Sequence, residues 1–240
     1  LNITPYVTYI LLIIEAVLIL LYIYYPKILN ALFVNRTKYI FQNEPYYLDN
    51  GKEKTIASIG DIHFQSEDLI NGKNPNGEIP YSKNYGISFW VQINPRTISS
   101  NNEIQIFKFG SGSSCKPMLT YSSKSTNEKD IYKIYLSSTQ KSDIDIHLPN
   151  QIWNHFFFQY NSTNVDLYIN GVFERHVDFK VQNINIPVYQ PTDIITVGNS
   201  GSYKINGAIC NVVYFANTLS DFEIKNLYNL STLLPYPQIL

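Results

Sequence analysis

The chain has 240 residues, a net charge of −1, and 20 Tyr and 13 Phe against a single Met. That length holds one domain of ordinary size plus an appendage, and the balanced charge, with no Lys/Arg cluster, excludes a nucleic-acid binder of the basic-patch kind. Ile, Asn, Tyr, Lys and Phe, all with A/T-rich codons, are abundant, which points to an A/T-biased genome such as that of a protist mitochondrion or a large virus of protists. The sequence opens on Leu1 without an initiator Met. Processing, a non-standard start codon and a longer parent chain each account for that, and the second favours an organelle genome.

The first expected element is a membrane span. Residues 6–25 read YVTYILLIIEAVLILLYIYY and are followed by Pro26. About 20 apolar residues suffice to cross a bilayer. Tyr6, Tyr9, Tyr22, Tyr24 and Tyr25 lie near the ends, where aromatic belts sit. A secretory signal peptide fits poorly, because the run lacks a basic lead, a short apolar core and a small-residue cleavage site. Lys27, Arg36 and Lys38 follow the span and would place the rest of the chain on the cytoplasm- or matrix-like side, although three charges leave sidedness open. Glu15 falls mid-span, where a charged group costs about 2.5–3.5 kcal/mol. It marks a contact with a polar or cationic helix of a neighbouring subunit; the alternative is an uncharged carboxyl that is merely tolerated. The division expected is a transmembrane helix over residues 1–27, an interfacial segment and polar linker over 28–58, a β-domain over 59–232 and an apolar tail over 233–240.

The β-domain is read from alternation. Ile87, Phe89, Val91 and Ile93 share one face of a strand. Ile104, Ile106 and Phe109 suggest another, and residues 131–136 and 144–148 two more. Residues 164–179 give the strongest local signal. Val165, Leu167 and Ile169 alternate with more polar partners, Asn170-Gly171 follows, and Val172, Glu174 and His176 continue beyond it. Asn-Gly between two alternating runs marks a two-residue hairpin, because both turn positions need positive φ. Ser220 with Glu223 three residues later is a capping box, which predicts a helix from about Asp221 with Phe222, Leu227 and Leu230 as its apolar stripe. Short β-rich runs between Gly, Asn, Pro and Ser turns indicate an all-β sandwich or barrel.

Taken in order, the pieces resemble the concanavalin A-like lectin/glucanase superfamily in its laminin G-like form. The matching runs are Tyr85-Gly86-Ile87-Ser88-Phe89-Trp90-Val91, Trp153-Asn154-His155, Asp166-Leu167-Tyr168-Ile169-Asn170-Gly171, Ile195-Thr196-Val197-Gly198 and Gly207-Ala208-Ile209 through Tyr214-Phe215. The resemblance spans roughly residues 56–230. It implies a mainly β fold of two antiparallel sheets packed face to face as a jelly-roll sandwich, in a family that mostly binds and scaffolds.

The candidate chemical sites read as follows. The glucanase branch sets paired carboxylates on one strand, in an E-x-D-x-x-E run or similar, to flank a glycosidic bond. No such triplet occurs, and Glu174 and Asp178 are read as solvated strand residues. Calcium in relatives is held by loop Asp and Asn oxygens; Asp143, Asp145, Asp193, Asn199 and Asn206 are candidates without an alignable motif. His63, His147, His155 and His176 lack metal-ligand spacing, and His155 is read as packed or hydrogen-bonded. Cys115 and Cys210 suit neither a zinc motif nor a redox pair, which leaves two independent thiols or one disulfide. The Gly110–Ser114 run, GSGSS, lacks the Lys-Ser/Thr ending of a phosphate loop and is read as a turn. Asn2, Asn35, Asn161 and Asn229 begin glycosylation sequons, which matter only for a lumenal or extracellular domain.

Trp90 and Trp153 are expected inside the sandwich. Tyr46, Tyr47, Tyr121, Tyr132, Tyr160, Tyr189 and Tyr203 are expected at the surface, where Tyr suits protein contacts and sugar stacking. The tail LLPYPQIL is apolar and broken by Pro, so Leu233, Leu234, Tyr236 and Ile239 are expected to lie on a partner or on the domain itself. These features predict a non-catalytic structural subunit of a membrane assembly, for example a lineage-specific subunit of a protist mitochondrial respiratory or ATP-synthase complex. Its partners would be other membrane subunits and the bilayer, with no cofactor. An anchored virion protein and a glycan-binding lectin ectodomain are the alternatives.

Overall fold

A computed structural model describes residues 5–29, 38–58, 84–94, 103–122, 131–141, 143–190, 192–201 and 204–232. Helix α1 spans Pro5–Leu29. The strands follow as β1 (Lys38–Gln42), β2 (Tyr46–Tyr47), β3 (Glu53–Ser58), β4 (Tyr85–Asn94), β5 (Glu103–Gly110), β6 (Met118–Ser122), β7 (Ile131–Tyr135), β8 (Ile144–Ile146), β9 (Asn154–Asn161), β10 (Asn164–Ile169), β11 (Val172–Asp178), β12 (Ile194–Gly198) and β13 (Asn206–Phe215), and helix α2 (Asp221–Ser231) closes the order.

The strands form two antiparallel sheets. The first runs β1-β13-β4-β9-β10-β11, with β2 also on β13, and the second runs β3-β12-β5-β6-β7-β8. The sandwich expected from the sequence is therefore present. Between the sheets, Ile87, Phe89, Val91 and Ile93 meet Ile104, Ile106, Phe107 and Phe109. The Phe89 and Phe107 rings stack at 4.3 Å, and Tyr85 stacks on Tyr160 and Tyr214 at 4.9 and 5.2 Å. A fully buried side chain of this size is worth roughly 1.5–3 kcal/mol, so the aromatic inner layer is the main source of cohesion.

The β10–β11 hairpin turns on Asn170 and Gly171 with φ of 51° and 73°, as Asn-Gly requires. Helix α2 starts where its capping box lies: Ser220 Oγ accepts from Glu223 N, and the Glu223 carboxylate accepts from Ser220 N at 2.7 Å. The helix covers the outer face of the first sheet, burying Ile224 and Leu227 against Phe157, Tyr168, Val213, Phe215 and Leu219.

The structure revises several expectations. The stretch read as interfacial segment and linker supplies strands to both sheets: β1 and β2 pair with β13, and β3 pairs with β12. Trp90 is buried outside the inter-sheet core, beneath α2, where it stacks on Tyr228 at 5.4 Å. It occupies the odd beat of a strand whose inward positions Ile87, Phe89 and Val91 are already filled. Trp153 is half-buried just before β9. Tyr121, Tyr132 and Tyr160 are core residues, Tyr46 and Tyr189 are half-buried, and Tyr47 is exposed; Tyr203 lies outside the described residues. On α2 the stripe uses Ile224 rather than Phe222, which is exposed.

Candidate recognition face

The two outer faces of the sandwich differ in chemistry. On the first sheet's outer face an apolar cluster is covered by α2. The second sheet's outer face carries a polar ladder set by strand register: Gln105 opposes Thr120, Thr120 opposes Lys133, and Lys133 opposes Asp145. Opposed side chains on one face interact directly. Here Glu103 is the hub, accepting from Lys133 Nζ, Tyr135 OH and, at 3.3 Å, Thr120 Oγ1. Burial raises the Glu103 pKa, and the hydrogen bonds from Lys133 and Tyr135 outweigh it, so the carboxyl sits below its ordinary range. Burial and the neighbouring Glu103 push the Tyr135 phenol up.

Further along the same face, Gln105 Nε2 donates to Glu53 Oε1 at 3.0 Å and to Gly198 O at 3.1 Å. Beside them an open groove of about 490 Å³ is lined by Gly51, Lys52, Glu53, Thr55, Ile194, Thr196 and Ser200. The bulge between Gln105 and Phe107 turns Phe107 inward and keeps Glu103, Gln105 and Lys108 outward. Glu103-x-Gln105-x-x-Lys108 is thus a nearer approach to E-x-D-x-x-E than Glu174 and Asp178, with the second and third carboxylates replaced.

The other candidates have local duties. Asp193 is fully buried 2.6 Å from Lys116 Nζ and accepts from Ser111 Oγ at 2.9 Å and Gln190 N at 2.7 Å. Burial pulls the Lys116 pKa down against the pull of Asp193. Asp143 accepts from Leu136 N at 2.7 Å and is pushed up by burial, while Asp145 is exposed on β8. Asn206 opens β13, and Asn199 follows β12. Among the described residues no group of three or more His, Cys, Asp and Glu is placed to hold a metal.

His155 is buried with Nε2 2.7 Å from Ser88 Oγ, and burial lowers its pKa to about 3, so it is neutral. His176 pairs with Asp166 at 2.6 Å on the surface, and His147 is exposed. Cys115 and Cys210 are buried thiols, each pushed up to about 12 by burial first of all. Gly110 to Ser114 forms a turn that opens no helix. Glu15 lies on exposed α1, while Leu233, Leu234, Tyr236, Ile239, His63, Asn2 and Asn35 lie outside the described residues.

The chain is a two-sheet antiparallel β-sandwich with a helix on one outer face and a polar ladder on the other. A laminin G family model, described as the concanavalin A-like lectin/glucanases superfamily, matches residues 70–225, and the chain belongs to that family. No curated protein matches the sequence. Among solved structures, the sialidase of Trypanosoma rangeli is 12% identical with a TM-score of 0.52, over 80% of this chain and 28% of that one. Domain 4 of the extracellular arabinanase AbnA from Geobacillus stearothermophilus, in complex with arabinotriose, is 15% identical with a TM-score of 0.47, over 79% of this chain and 86% of that one. The binding domain of botulinum neurotoxin DC is 22% identical with a TM-score of 0.45, over 64% of this chain and 38% of that one. At such identities the likeness is one of fold alone, and this chain spans well under half of the sialidase and of the neurotoxin domain.

Proposed function

We propose that this chain is a membrane-anchored, non-catalytic laminin G-like module that serves as an accessory subunit of a membrane assembly. The observation that carries the reading is α1. Residues Tyr6–Tyr24 have a mean hydropathy of 2.4, and none is buried against the rest of the chain. So large an apolar surface needs lipid or protein around it. Glu15 is mid-span, and among the described residues no other helix packs on it, which supports a neighbouring subunit as part of that cover. The non-catalytic part is supported by Glu103, whose lowered pKa suits a fixed negative charge rather than a proton donor. The mitochondrial and viral instances rest on composition alone.

The test is solubilisation of the native membrane in mild detergent, with co-migration compared between the wild type and Glu15→Leu. A large assembly that loses the variant is the expected result. Unchanged co-migration of the variant would count against Glu15 as the contact, and migration of the wild type alone would refute the accessory-subunit reading. A second reading, a glycan-binding ectodomain, is favoured by the open polar ladder from Glu53 to Lys133; a glycan array without binding, with and without calcium, removes it.

A further inference from the structure

Helix α2 belongs to neither sheet, and residues 216–220 join it to β13. Leu219 fixes that joint: its side chain is buried in the cluster under the helix, and its N–H donates to Gln159 Oε1 at 2.7 Å. Beyond the joint, Ile224 and Leu227 enter the cluster, Asp221 accepts from Tyr168 OH at 2.6 Å, and the Tyr228 ring stacks on Trp90 at 5.4 Å. An element that breaks no strand pairing when it leaves can open locally, at less than the free energy of global unfolding.

His155 lies beneath this helix. Its neighbour Phe156 points into the inter-sheet core, while His155 stands opposite Trp90 on the outer face of the same sheet. The ring is fully buried, with its centre 4.8 Å from that of Trp90 and 5.9 Å from that of Tyr228. Nε2 is 2.7 Å from Ser88 Oγ, and among the described residues Nδ1 has no hydrogen-bond partner. An imidazolium donates from both nitrogens. Here Ser88 can accept from Nε2, but Nδ1 would carry an unmatched N–H and the ring a buried charge, which is costly.

The ionisable groups around the ring do not relieve that cost. On α2, Asp221 is tied to Tyr168, Glu223 is turned to its own helix start, and Lys225 is exposed. On β10 and β11, Asp166 and His176 pair with each other. On β13, Cys210 stands opposite Trp90 as a thiol held uncharged by burial. Water reaches Nδ1 once α2 lifts.

We propose that α2 is an acid-released cover on the first sheet, with protonation of His155 as its trigger. Under the closed helix the ring takes its proton only near pH 3, and with the helix lifted near the ordinary value of about 6.5. The lifted form therefore holds a proton that the closed form refuses. Its population grows as the pH falls below 6.5, by about tenfold per unit and about fifty-fold from pH 6.5 to pH 4.5. Lifting uncovers Trp90, Phe157 and Phe215, an apolar face that stays covered at neutral pH.

The test is amide hydrogen exchange of the full, detergent-solubilised chain across that pH range, followed by mass spectrometry on peptides from α2 and from β5 of the other sheet. Rates are corrected for the pH dependence of exchange itself. Protection of α2 is expected to fall about fifty-fold while β5 keeps its own, and in His155→Gln the α2 profile is expected to be flat. Equal loss from α2 and β5 in the wild type would mean that the domain opens as a whole, and overturns the cover. A selective α2 loss that persists in His155→Gln overturns His155 as the trigger. Glu223→Gln keeps the question decidable should His155→Gln fail to fold: the wild-type slope is expected to persist in it, and a flat profile passes the trigger to the capping carboxylate and overturns the proposal.

Discussion

Lys116→Met tests the buried ion pair that ties the β5–β6 loop to the loop before β12. Met keeps much of the apolar stem and removes the ammonium 2.6 Å from Asp193, in a site where both side chains are fully buried. Asp193 keeps two donors, Ser111 Oγ and Gln190 N, but loses its counter-charge. Val188 O loses its 2.7 Å donor and retains only Ser114 Oγ at 3.4 Å. Breaking a buried pair from one side costs about 3–5 kcal/mol, and the weakened carbonyl adds up to about 1. Removing both charges, as Lys116→Met with Asp193→Leu, leaves no uncompensated buried ion. The double variant is expected to recover most of the loss, to within about 2 kcal/mol of the wild type. The remaining deficit is that of Ser111 and Gln190, whose donors lose their acceptor. Urea unfolding of the detergent-solubilised chain, followed by the fluorescence of buried Trp90, measures the wild type and both variants. A single variant within about 1 kcal/mol of the wild type, or a double variant no more stable than the single, refutes this account.

His155 supplies a pH prediction. Its folded pKa is about 3, below the ordinary imidazole value of about 6.5 in the unfolded chain. Between those values the unfolded state binds the proton and the folded state does not, so its contribution is full above pH 6.5 and falls away as the pH drops towards 3, by about 3–5 kcal/mol in all. Acid titration of wild type against His155→Gln checks this, and equal slopes in that window would exclude His155 as the source. Gly171→Ala meets two obstacles at once, a φ of 73° and a new Cβ 2.9 Å from Tyr228 Cβ. A loss of about 1–3 kcal/mol is expected, read as a lower urea midpoint, and an unchanged midpoint would show that α2 yields at Tyr228.

The legible parts of this fold are those whose causes are local. Asn170-Gly171 fixes its turn from two residues, and Ser220 with Glu223 fixes a helix start from four. Strands β1 and β3 were illegible because their identity comes from β13 and β12, each more than a hundred residues away, and alone they look like polar connections. The misplaced Tyr residues were legible in principle. Tyr121 stands two from Leu119, Tyr132 two from Ile134 and Tyr160 two from Phe158, all on inward beats. Trp90 was legible by the same rule in reverse. Lys116 and Asp193 carry no signal of their pairing in sequence; only the packing of the loop before β12 on the β5–β6 loop brings them together.

The polar face of the second sheet is arranged around fixed hydrogen bonds. A general acid for glycosidic cleavage needs a carboxyl held protonated near neutral pH. Glu103 is held the other way by Lys133 and Tyr135, and Glu53 accepts from Gln105. What the face offers is fixed charge and directed hydrogen bonds, which suit recognition. Under the accessory-subunit proposal, replacing Lys133 and Gln105 by Ala is expected to weaken co-migration with the assembly and to leave insertion of α1 unchanged; unchanged co-migration would exclude this face as the contact.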